Sequence, residues 1–307
     1  MRGGMRIITM AAAAITGLGV ATTAVTAQEY AGRELRVVTF NIQHGYPADR
    51  KPCDATTSSC AGPDLDRIAE RIRKLNPDVV SLQEVNRDHR FGNCVDMAAE
   101  LGKKLGMDHR FHRNAYQHPT HKCGAGKNED TGNAILSKFP ITGTGKTDLP
   151  KDVPGQDKPR TLVWASFTVD GKPMVAYSLH ISHLYQDARI PQLKAALASV
   201  AQVNKAHGNA MSVLSGDFNA AVDRADGDQG KITEGKQVVN LVTDAGFTDG
   251  WQAAPKHTSQ PYTHKADNPT IRIDYVFAGP SFTVTQAGAL NTRASDHRPV
   301  AVDLRVK

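Results

Sequence analysis

Short apolar runs alternate with amphipathic segments along the chain from Leu35 onward. The run LRVVTF (35–40) is rich in β-branched and aromatic residues and predicts a strand. In the segment 64–76 apolar residues recur at helical spacing as far as Asn76-Pro77, which predicts a helix that ends there. Several later strands follow one another without a helix between them. This order favours a mixed α/β sheet system over a doubly wound parallel sheet.

The same pattern places the remaining elements. Further helices are predicted over 97–105, 187–207 and 238–245, and further strands over 78–83, 134–137, 162–169, 173–180, 211–214, 271–278, 282–287 and 298–306. No Pro/Gly-rich gap divides the chain, so a single domain is predicted over 33–307. The stretch 109–127 is predicted to be an irregular, solvated loop. Its histidines match no standard zinc-ligand spacing, which disfavours a zinc site at His109, His112, His118 and His121.

The first residues have a different character. Two arginines precede an uncharged run from Ile7 to Val25, and small residues lead from there to Ala27. This pattern predicts a secretory signal peptide over 1–27, because the run is only weakly apolar for a membrane anchor. We therefore expect a secreted protein, either extracellular or held in the cell envelope.

The four cysteines fit export, because disulfides persist in oxidising compartments. Three pairings are possible, and local closure favours Cys53 with Cys60 and Cys94 with Cys123. A four-cysteine zinc site is disfavoured because no C-x-x-C spacing occurs. The formal net charge is +6, and removing the two arginines of residues 1–27 leaves +4, a mild attraction for polyanions.

Polar residues stand just past the ends of several apolar strands or inside them. They are Asn41, Glu84, His180, Asp217, Asn219, Asp274, Asp296 and His297. Each alone has an ordinary explanation as a turn or capping residue. Together they indicate one cleft, because the strand ends of one sheet system converge. Asp274 adds to this, since a carboxylate inside the apolar run IRIDYVF is costly to bury without a partner.

These residue types suit hydrolysis of a phosphate ester with a divalent ion. Hard ions such as Mg²⁺ take oxygen ligands, which Asn41, Glu84 and Asp296 can supply. Phosphoester hydrolysis also needs an oriented water, charge neutralisation on the phosphoryl oxygens and a protonated leaving group. No Cys or Ser in these segments is placed beside a base as a nucleophile, so direct attack by water is predicted.

The remaining polar residues can supply the other functions. Asp217 can orient or deprotonate the water, and Asn219 can donate a hydrogen bond to a phosphoryl oxygen. His180 and His297 can bind phosphate or transfer a proton near neutral pH. Asp274 can hold His297 in one tautomer.

Seven motifs occur in order: TFNIQHG (39–45), PDVVSLQEV (77–85), TGNAILSKFPI (131–141), LHISHL (179–184), LSGDFNA (214–220), RIDYVF (272–277) and ASDHRPV (294–300). Together they resemble the endonuclease/exonuclease/phosphatase superfamily over nearly the whole mature chain. The resemblance implies a DNase I-like fold, a four-layer α/β/β/α sandwich of two packed mixed sheets with the site at one edge. It also implies roles for the polar residues. The metal ion (Mg²⁺, or Mn²⁺ or Ca²⁺) is expected at Asn41, Glu84 and Asp296, with Glu84 the main ligand. Catalysis is expected at His180, Asp217, Asn219, Asp274 and His297, with His183 as a competitor of His180.

The substrate stays open. Where nucleases of this superfamily often carry a Tyr or Glu before AILSKF, this chain has Glu129, Asp130 and Asn133, and Arg160 is a further candidate contact. We expect a monomeric phosphodiesterase of nuclease type acting on nucleic acid, without a stable protein partner. A phospholipase C- or sphingomyelinase-like enzyme acting on lipid headgroups and a soluble phosphomonoesterase are the alternatives. A binding module that lost its chemistry is disfavoured, because none of the motif residues is missing.

Overall fold

The computed structural model describes residues 32–49, 62–114, 118–119, 123–124, 128–151, 159–222 and 232–307. Within them, thirteen strands form two sheets and four α-helices lie outside the sheets. The predicted signal peptide (1–27) and the predicted Cys53–Cys60 pair lie outside the described residues. Among the helices of the described ranges, none is both long enough and apolar enough to cross a membrane.

The first sheet contains seven strands, of which one short strand is a side branch. They are β1 (Glu34–Asn41), β2 (Val79–Arg87), β3 (Asp108–Arg113), β4 (His118–Pro119), β5 (Asn128–Ser137), β12 (Phe282–Ala289) and β13 (Val300–Val306). Their order is β12-β13-β1-β2-β5-β3, with β4 paired to β5. The central pair of β1 and β2 is parallel, and its neighbours are antiparallel.

The second sheet contains six strands. They are β6 (Gly143–Asp148), β7 (Thr161–Val169), β8 (Lys172–His180), β9 (Met211–Asp217), β10 (Thr248–Asp249) and β11 (Asp274–Ala278). Their order is β10-β11-β9-β8-β7-β6. Its strand directions match those of the first sheet, because the central pair of β8 and β9 is parallel and the neighbouring strands are antiparallel.

The helices cover the outer faces of the two sheets. Helices α1 (Leu65–Leu75) and α2 (Met97–Leu105) pack on the first sheet, and α3 (Gln186–Ala206) and α4 (Ile232–Asp244) pack on the second. A third apolar core fills the space between the sheets. The protein is therefore a single-domain, four-layer α/β/β/α sandwich, which confirms the fold implied by the seven motifs. The central strands are buried on both faces, which explains their nearly continuous apolar runs.

A group of four buried polar side chains lies between the central strands of the two sheets, and we call it the serine seam (Ser81, Gln83, Ser178 and Ser215). Ser81 Oγ lies 2.6 Å from Ser215 Oγ, and Gln83 Nε2 donates to Ser178 Oγ at 3.0 Å. All four side chains are buried, so these bonds form without competition from water. They join the central strands of one sheet to those of the other, close to the strand ends that carry the candidate site residues.

Four strands were not predicted: the edge strands β3 and β6 and the two-residue strands β4 and β10. The predicted loop 109–127 begins inside β3, which pairs with β5 over six residues, and it contains β4, so those parts of the prediction were wrong. Both β3 and β6 are polar strands whose residues are mostly half-buried, so their sequences lack the apolar pattern of central strands. In addition, α4 begins at Ile232 rather than Val238, and β11 begins at Asp274 rather than Ile271.

The predicted pairing of Cys94 with Cys123 is confirmed. The two cysteines form a disulfide with a Cα–Cα distance of 5.3 Å. It joins the loop after β2 to the segment that precedes β5. Because the end of β2 pairs with the start of β5 in the first sheet, the disulfide lies beyond that end of the two strands.

Candidate active site

Asp217 is the centre of the site and is almost fully buried, with 1% of the residue exposed. It ends β9 beside His180, the last residue of β8, and opposite Asp274, the first residue of β11. Gly216 makes this close packing possible. Its φ is +152°, and a Cβ at this position would collide with the carbonyl of Leu179 on β8.

Backbone and side-chain amides hold the Asp217 carboxylate from two sides. Its Oδ1 accepts from the backbone N–H of Asn219 at 2.9 Å, and its Oδ2 accepts from Asn41 Nδ2 at 3.0 Å. Burial, together with the negative charge of Asp274, raises the pKa of Asp217 to about 7, although His297 and Asn41 oppose the shift. A carboxylate with such a pKa can accept a proton from water near neutral pH.

Two histidines flank Asp217 and differ in charge. His180 Nε2 lies 3.6 Å and His297 Nε2 lies 3.7 Å from Asp217 Oδ2. Burial and the positive charge of Arg160 hold the pKa of His180 well below its usual value, so His180 is neutral. Burial also disfavours the charged form of His297, but Asp274 and Asp217 outweigh it and hold that pKa well above the usual value. The site therefore combines a neutral and a cationic imidazole.

Asp274 fixes the orientation of His297. Its Oδ2 lies 2.9 Å from His297 Nδ1, which leaves Nε2 directed toward Asp217. The other carboxylate oxygen of Asp274, Oδ1, is buried and has no hydrogen-bond partner within the described residues. Both the carboxylate and the ring are removed from solvent, so their attraction is strong.

Asn219 lies just after the end of β9, beside Asp217. Its backbone adopts a left-handed φ of 49°, a conformation that Asn tolerates better than most residues. The side-chain Nδ2 donates to the carbonyl of Ile181 at 3.1 Å. This bond uses one of the two N–H groups of the amide and leaves the other for a ligand.

Glu84 and Asp296 form the open side of the site. Their side chains are 28% and 30% exposed, respectively. Burial and the charge of Glu84 raise the pKa of Asp296, whereas His44, His297 and Asn41 lower the pKa of Glu84 despite its burial. Two carboxylates that repel each other at a cleft mouth, with oxygen atoms accessible, are a donor set that fits a hard divalent cation.

Asn41 is brought to this group, but its amide nitrogen faces the carboxylates. Nδ2 donates to Asp217 and, at 3.3 Å, to Glu84 Oε1. The amide oxygen instead accepts from the backbone N–H of Gln43 at 3.1 Å. This bond distinguishes the oxygen of the Asn41 amide from its nitrogen. In this arrangement Asn41 links the carboxylate on the first sheet to the one on the second, and its oxygen is not directed at Glu84.

Hydrogen bonds between side chains and the backbone join the last motif to the first. Ser295 Oγ donates to the carbonyl of Asn41 at 2.7 Å, and the backbone N–H of Asp296 donates to Gln43 Oε1 at 3.0 Å. These bonds place Asp296 and His297 next to the end of β1. They explain how residues more than two hundred positions apart occupy one cleft.

Two residues that were not predicted, His264 and His44, reach the site, and Arg160, which was predicted as a candidate contact, lies beside it. The rings of His264 and His297 lie 4.8 Å apart, and burial together with the charge of His297 lowers the pKa of His264 to about 4. Arg160 Nη2 contacts His183 Nδ1 at 2.7 Å, so His183 meets Arg160 whereas His180 meets Asp217. His44 contacts Glu84. His44 lies inside the first motif, which is a usable signal, but the loop that carries His264 gives none.

The acidic residues before AILSKF have other contacts. Glu129 lies 3.7 Å from Arg90 Nε, and Asp130 lies 2.7 Å from Arg87 Nη2. Asn133 Nδ2 donates to the carbonyl of Thr161 at 2.8 Å. Glu129, Asp130 and Asn133 therefore each have a partner within the protein.

Within the described residues, two groups of three His and Asp side chains have ligand atoms within 4.8 Å of one another, close enough to share one ion. One consists of His264, Asp296 and His297, and the other of Asp217, Asp274 and His297. Of the histidines in the 109–127 stretch whose side chains the structure describes, His109 and His112 belong to neither group. His112 Nε2 instead contacts Thr144 Oγ1 at 2.8 Å, between the edge strands of the two sheets.

A model of the endonuclease/exonuclease/phosphatase family matches residues 38–297. The chain belongs to this family. Its members are hydrolases that act on phosphoric esters, and the chain is therefore an enzyme of that class. No curated protein matches the chain significantly.

Solved structures of the family share the fold. A family protein from Beutenbergia cavernae is 26% identical, with 89% of this chain and 72% of that chain covered and a TM-score of 0.67. A mannosyl-6-phosphatase from Bacteroides thetaiotaomicron is 21% identical, with 88% and 99% covered and a TM-score of 0.63. Truncated TDP2 from Caenorhabditis elegans is 19% identical, with 91% and 100% covered and a TM-score of 0.58. At these identities, the last two show the fold alone.

Proposed function

We propose that the protein is an exported, divalent-metal-dependent phosphodiesterase of nuclease type. The observation that carries this proposal is the position of Asp217 between a neutral and a cationic histidine. A base beside a proton donor is the arrangement that direct attack of water on a phosphoester needs. In this proposal the ion is held by Glu84 and Asp296, and Asn41 aligns the carboxylates.

The protein groups then have distinct tasks. Asp217 accepts the proton of the attacking water. His297, kept charged by Asp274, donates from Nε2 to the phosphoryl group and can pass that proton to the leaving oxygen when its bond to phosphorus breaks. The second N–H of the Asn219 amide donates to another phosphoryl oxygen. Neutral His180 supplies a further donor or acceptor near the same point. A bound divalent ion supplies charge neutralisation on the phosphoryl oxygens and lowers the pKa of water.

Export and a polyanionic substrate are supported by separate observations. The residues 1–27 have the pattern of a signal peptide, and the disulfide of Cys94 and Cys123 is typical of oxidising compartments. The charge of +4 that remains without residues 1–27 favours nucleic acid. A lipid substrate is less favoured, because binding to a membrane needs an exposed apolar surface. Among the described residues, Leu184 is the one large apolar residue that is exposed.

A soluble phosphomonoester is the second candidate, and Arg160 favours it. The buried Arg160 directly precedes Thr161, the cross-strand partner of His180, and its charge lowers the pKa values of His180 and Glu84. A monoester carries more negative charge than a diester, so a fixed cation stabilises it more.

Hydrolysis assays on the mature chain test these proposals. Plasmid DNA, RNA, phospholipid vesicles, bis(p-nitrophenyl) phosphate and p-nitrophenyl phosphate are incubated with Mg²⁺, with Mn²⁺ and with EDTA. Metal-dependent cleavage of nucleic acid that is lost in Asp217→Asn is expected. Cleavage of the monoester alone would move the function to a phosphomonoesterase, and cleavage of vesicles alone to a lipid enzyme. Full activity in EDTA would overturn the metal requirement.

A further inference from the structure

His44 faces Glu84 from a turn with an unusual backbone. It lies in the short 3-10 turn Gln43–Gly45 that follows β1. Gln43 has φ 46°, His44 has φ 55° and Glu84 has φ 56°, all in the left-handed region that non-glycine residues rarely adopt. This backbone brings His44 Nε2 to 3.4 Å from Glu84 Oε2. Residues held in such conformations concentrate at functional sites.

The other ring nitrogen has a buried partner. His44 Nδ1 lies 3.1 Å from Asn86 Oδ1, and Thr131 Oγ1 donates to the same oxygen at 2.9 Å. When Asn86 Oδ1 accepts from the N–H of Nδ1, Nε2 is the ring nitrogen available to a metal ion. Metal-binding histidines commonly have their second nitrogen held in this way by a carbonyl or carboxylate oxygen.

His44 Nε2 and Glu84 Oε2 face each other at 3.4 Å, so one metal ion between them can bond to both atoms. Nitrogen and oxygen ligands about 2.1 Å from one ion lie roughly 3.0–3.4 Å from each other at octahedral to tetrahedral angles. The side chains are 22% and 28% exposed, so an ion can enter from the cleft.

We propose that His44 is a nitrogen ligand of the ion held by Glu84, and that it gives the site a preference for a first-row transition ion over Mg²⁺. This inference rests on the proposed metal dependence. Imidazole binds ions such as Co²⁺ and Zn²⁺ well, whereas Mg²⁺ prefers oxygen ligands and retains water. Because Asn41 turns its nitrogen toward Glu84, His44 also provides the ligand atom that the first motif otherwise lacks.

Metal binding, rather than activity, tests the proposal. Isothermal titration calorimetry measures Co²⁺ and Mg²⁺ affinity for the wild type and for His44→Gln. The substitution is expected to weaken Co²⁺ binding by about 10- to 100-fold, with Mg²⁺ affinity changed much less. His207→Gln is the matched control, since His207 precedes β9 at the end opposite Asp217 and packs against Trp164. Pulsed electron paramagnetic resonance of bound Mn²⁺ should show nitrogen coupling in the wild type and lose it in His44→Gln.

The outcomes separate this inference from the proposed function. Equal Co²⁺ affinity in wild type and His44→Gln, or nitrogen coupling of equal strength in both proteins, would overturn the role of His44 but leave a metal enzyme. No binding of any divalent ion to the wild type would overturn both. If His44→Gln does not fold, Asn86→Ser provides the second variant. It removes the oxygen at Nδ1 and is expected to weaken Co²⁺ binding in the same direction, whereas an unchanged affinity would contradict the proposal.

Discussion

Replacing Asp274 by Asn tests the central electrostatic relation of the site. The change keeps the size of the side chain and removes the charge that lies 2.9 Å from His297 Nδ1. If the amide oxygen still accepts from Nδ1, the hydrogen bond survives but becomes neutral. If the amide nitrogen donates to Nδ1, the tautomer reverses and the neutral ring carries its proton on Nε2. In both cases the cationic form of His297 loses its main support.

The expected size of the effect follows from the distance. At 2.9 Å and an effective dielectric constant of about 20, the attraction between imidazolium and carboxylate is roughly 6 kcal/mol. Asp217, at 3.7 Å from Nε2, continues to favour the charged ring and compensates part of this loss. A net loss of about 3–5 kcal/mol corresponds to a decrease in kcat of roughly 10²- to 10⁴-fold.

The assay is kcat on bis(p-nitrophenyl) phosphate at saturating metal, measured across pH. Asp66→Asn is the matched control, because Asp66 is exposed on α1 and its carboxylate contacts Lys104 only at the surface. Circular dichroism establishes that both variants are folded. A kcat for Asp274→Asn within about threefold of the wild type would refute the reasoning, since the predicted loss is at least 100-fold.

Three further predictions concern the metal, the base and the fold. Glu84→Gln is expected to lower divalent-ion affinity and activity together, as measured by calorimetry and hydrolysis, and an unchanged affinity would remove Glu84 from the metal site. Because the pKa of Asp217 is raised to about 7, the base is protonated below that pH, and kcat/KM should rise as pH increases through about 7; a profile flat from pH 5 to 8 would contradict this assignment. Arg272→Met leaves the buried Asp249 without the guanidinium that binds it through two bonds of 2.9 Å, and urea unfolding should show a loss of about 3–5 kcal/mol that Asp249→Asn in the same chain largely restores.

The sequence predicts the centre of the fold well and its edges poorly. Central strands such as β1 and β9 are apolar throughout because both of their faces are buried, so their ends could be located and the polar residues beyond them recognised. The edge strands β3 and β6 are polar because much of each strand meets solvent. Their strand character comes from pairing with β5 and β7, which sequence periodicity does not record.

The site shows the same division. The eight residues named from strand ends lie around one cleft, because two central parallel pairs bring their carboxyl ends to the same edge. The sequence did not predict how the side chains of the site are oriented. The direction of the Asn41 amide depends on the backbone N–H of Gln43, and the contact of His44 with Glu84 depends on left-handed backbone angles at both residues. Such local conformations have no signature in apolar periodicity.

The serine seam implies that catalysis depends on the alignment of two half-sites. Asn41 and Glu84 belong to one sheet, whereas His180 and Asp217 belong to the other. An apolar interface resists separation but hardly resists sliding, because dispersion contacts are not directional. The hydrogen bonds of Ser81 and Gln83 are directional and therefore fix the lateral position of one sheet on the other. Substitutions in this seam should thus slow the reaction through misalignment, at positions that no substrate touches.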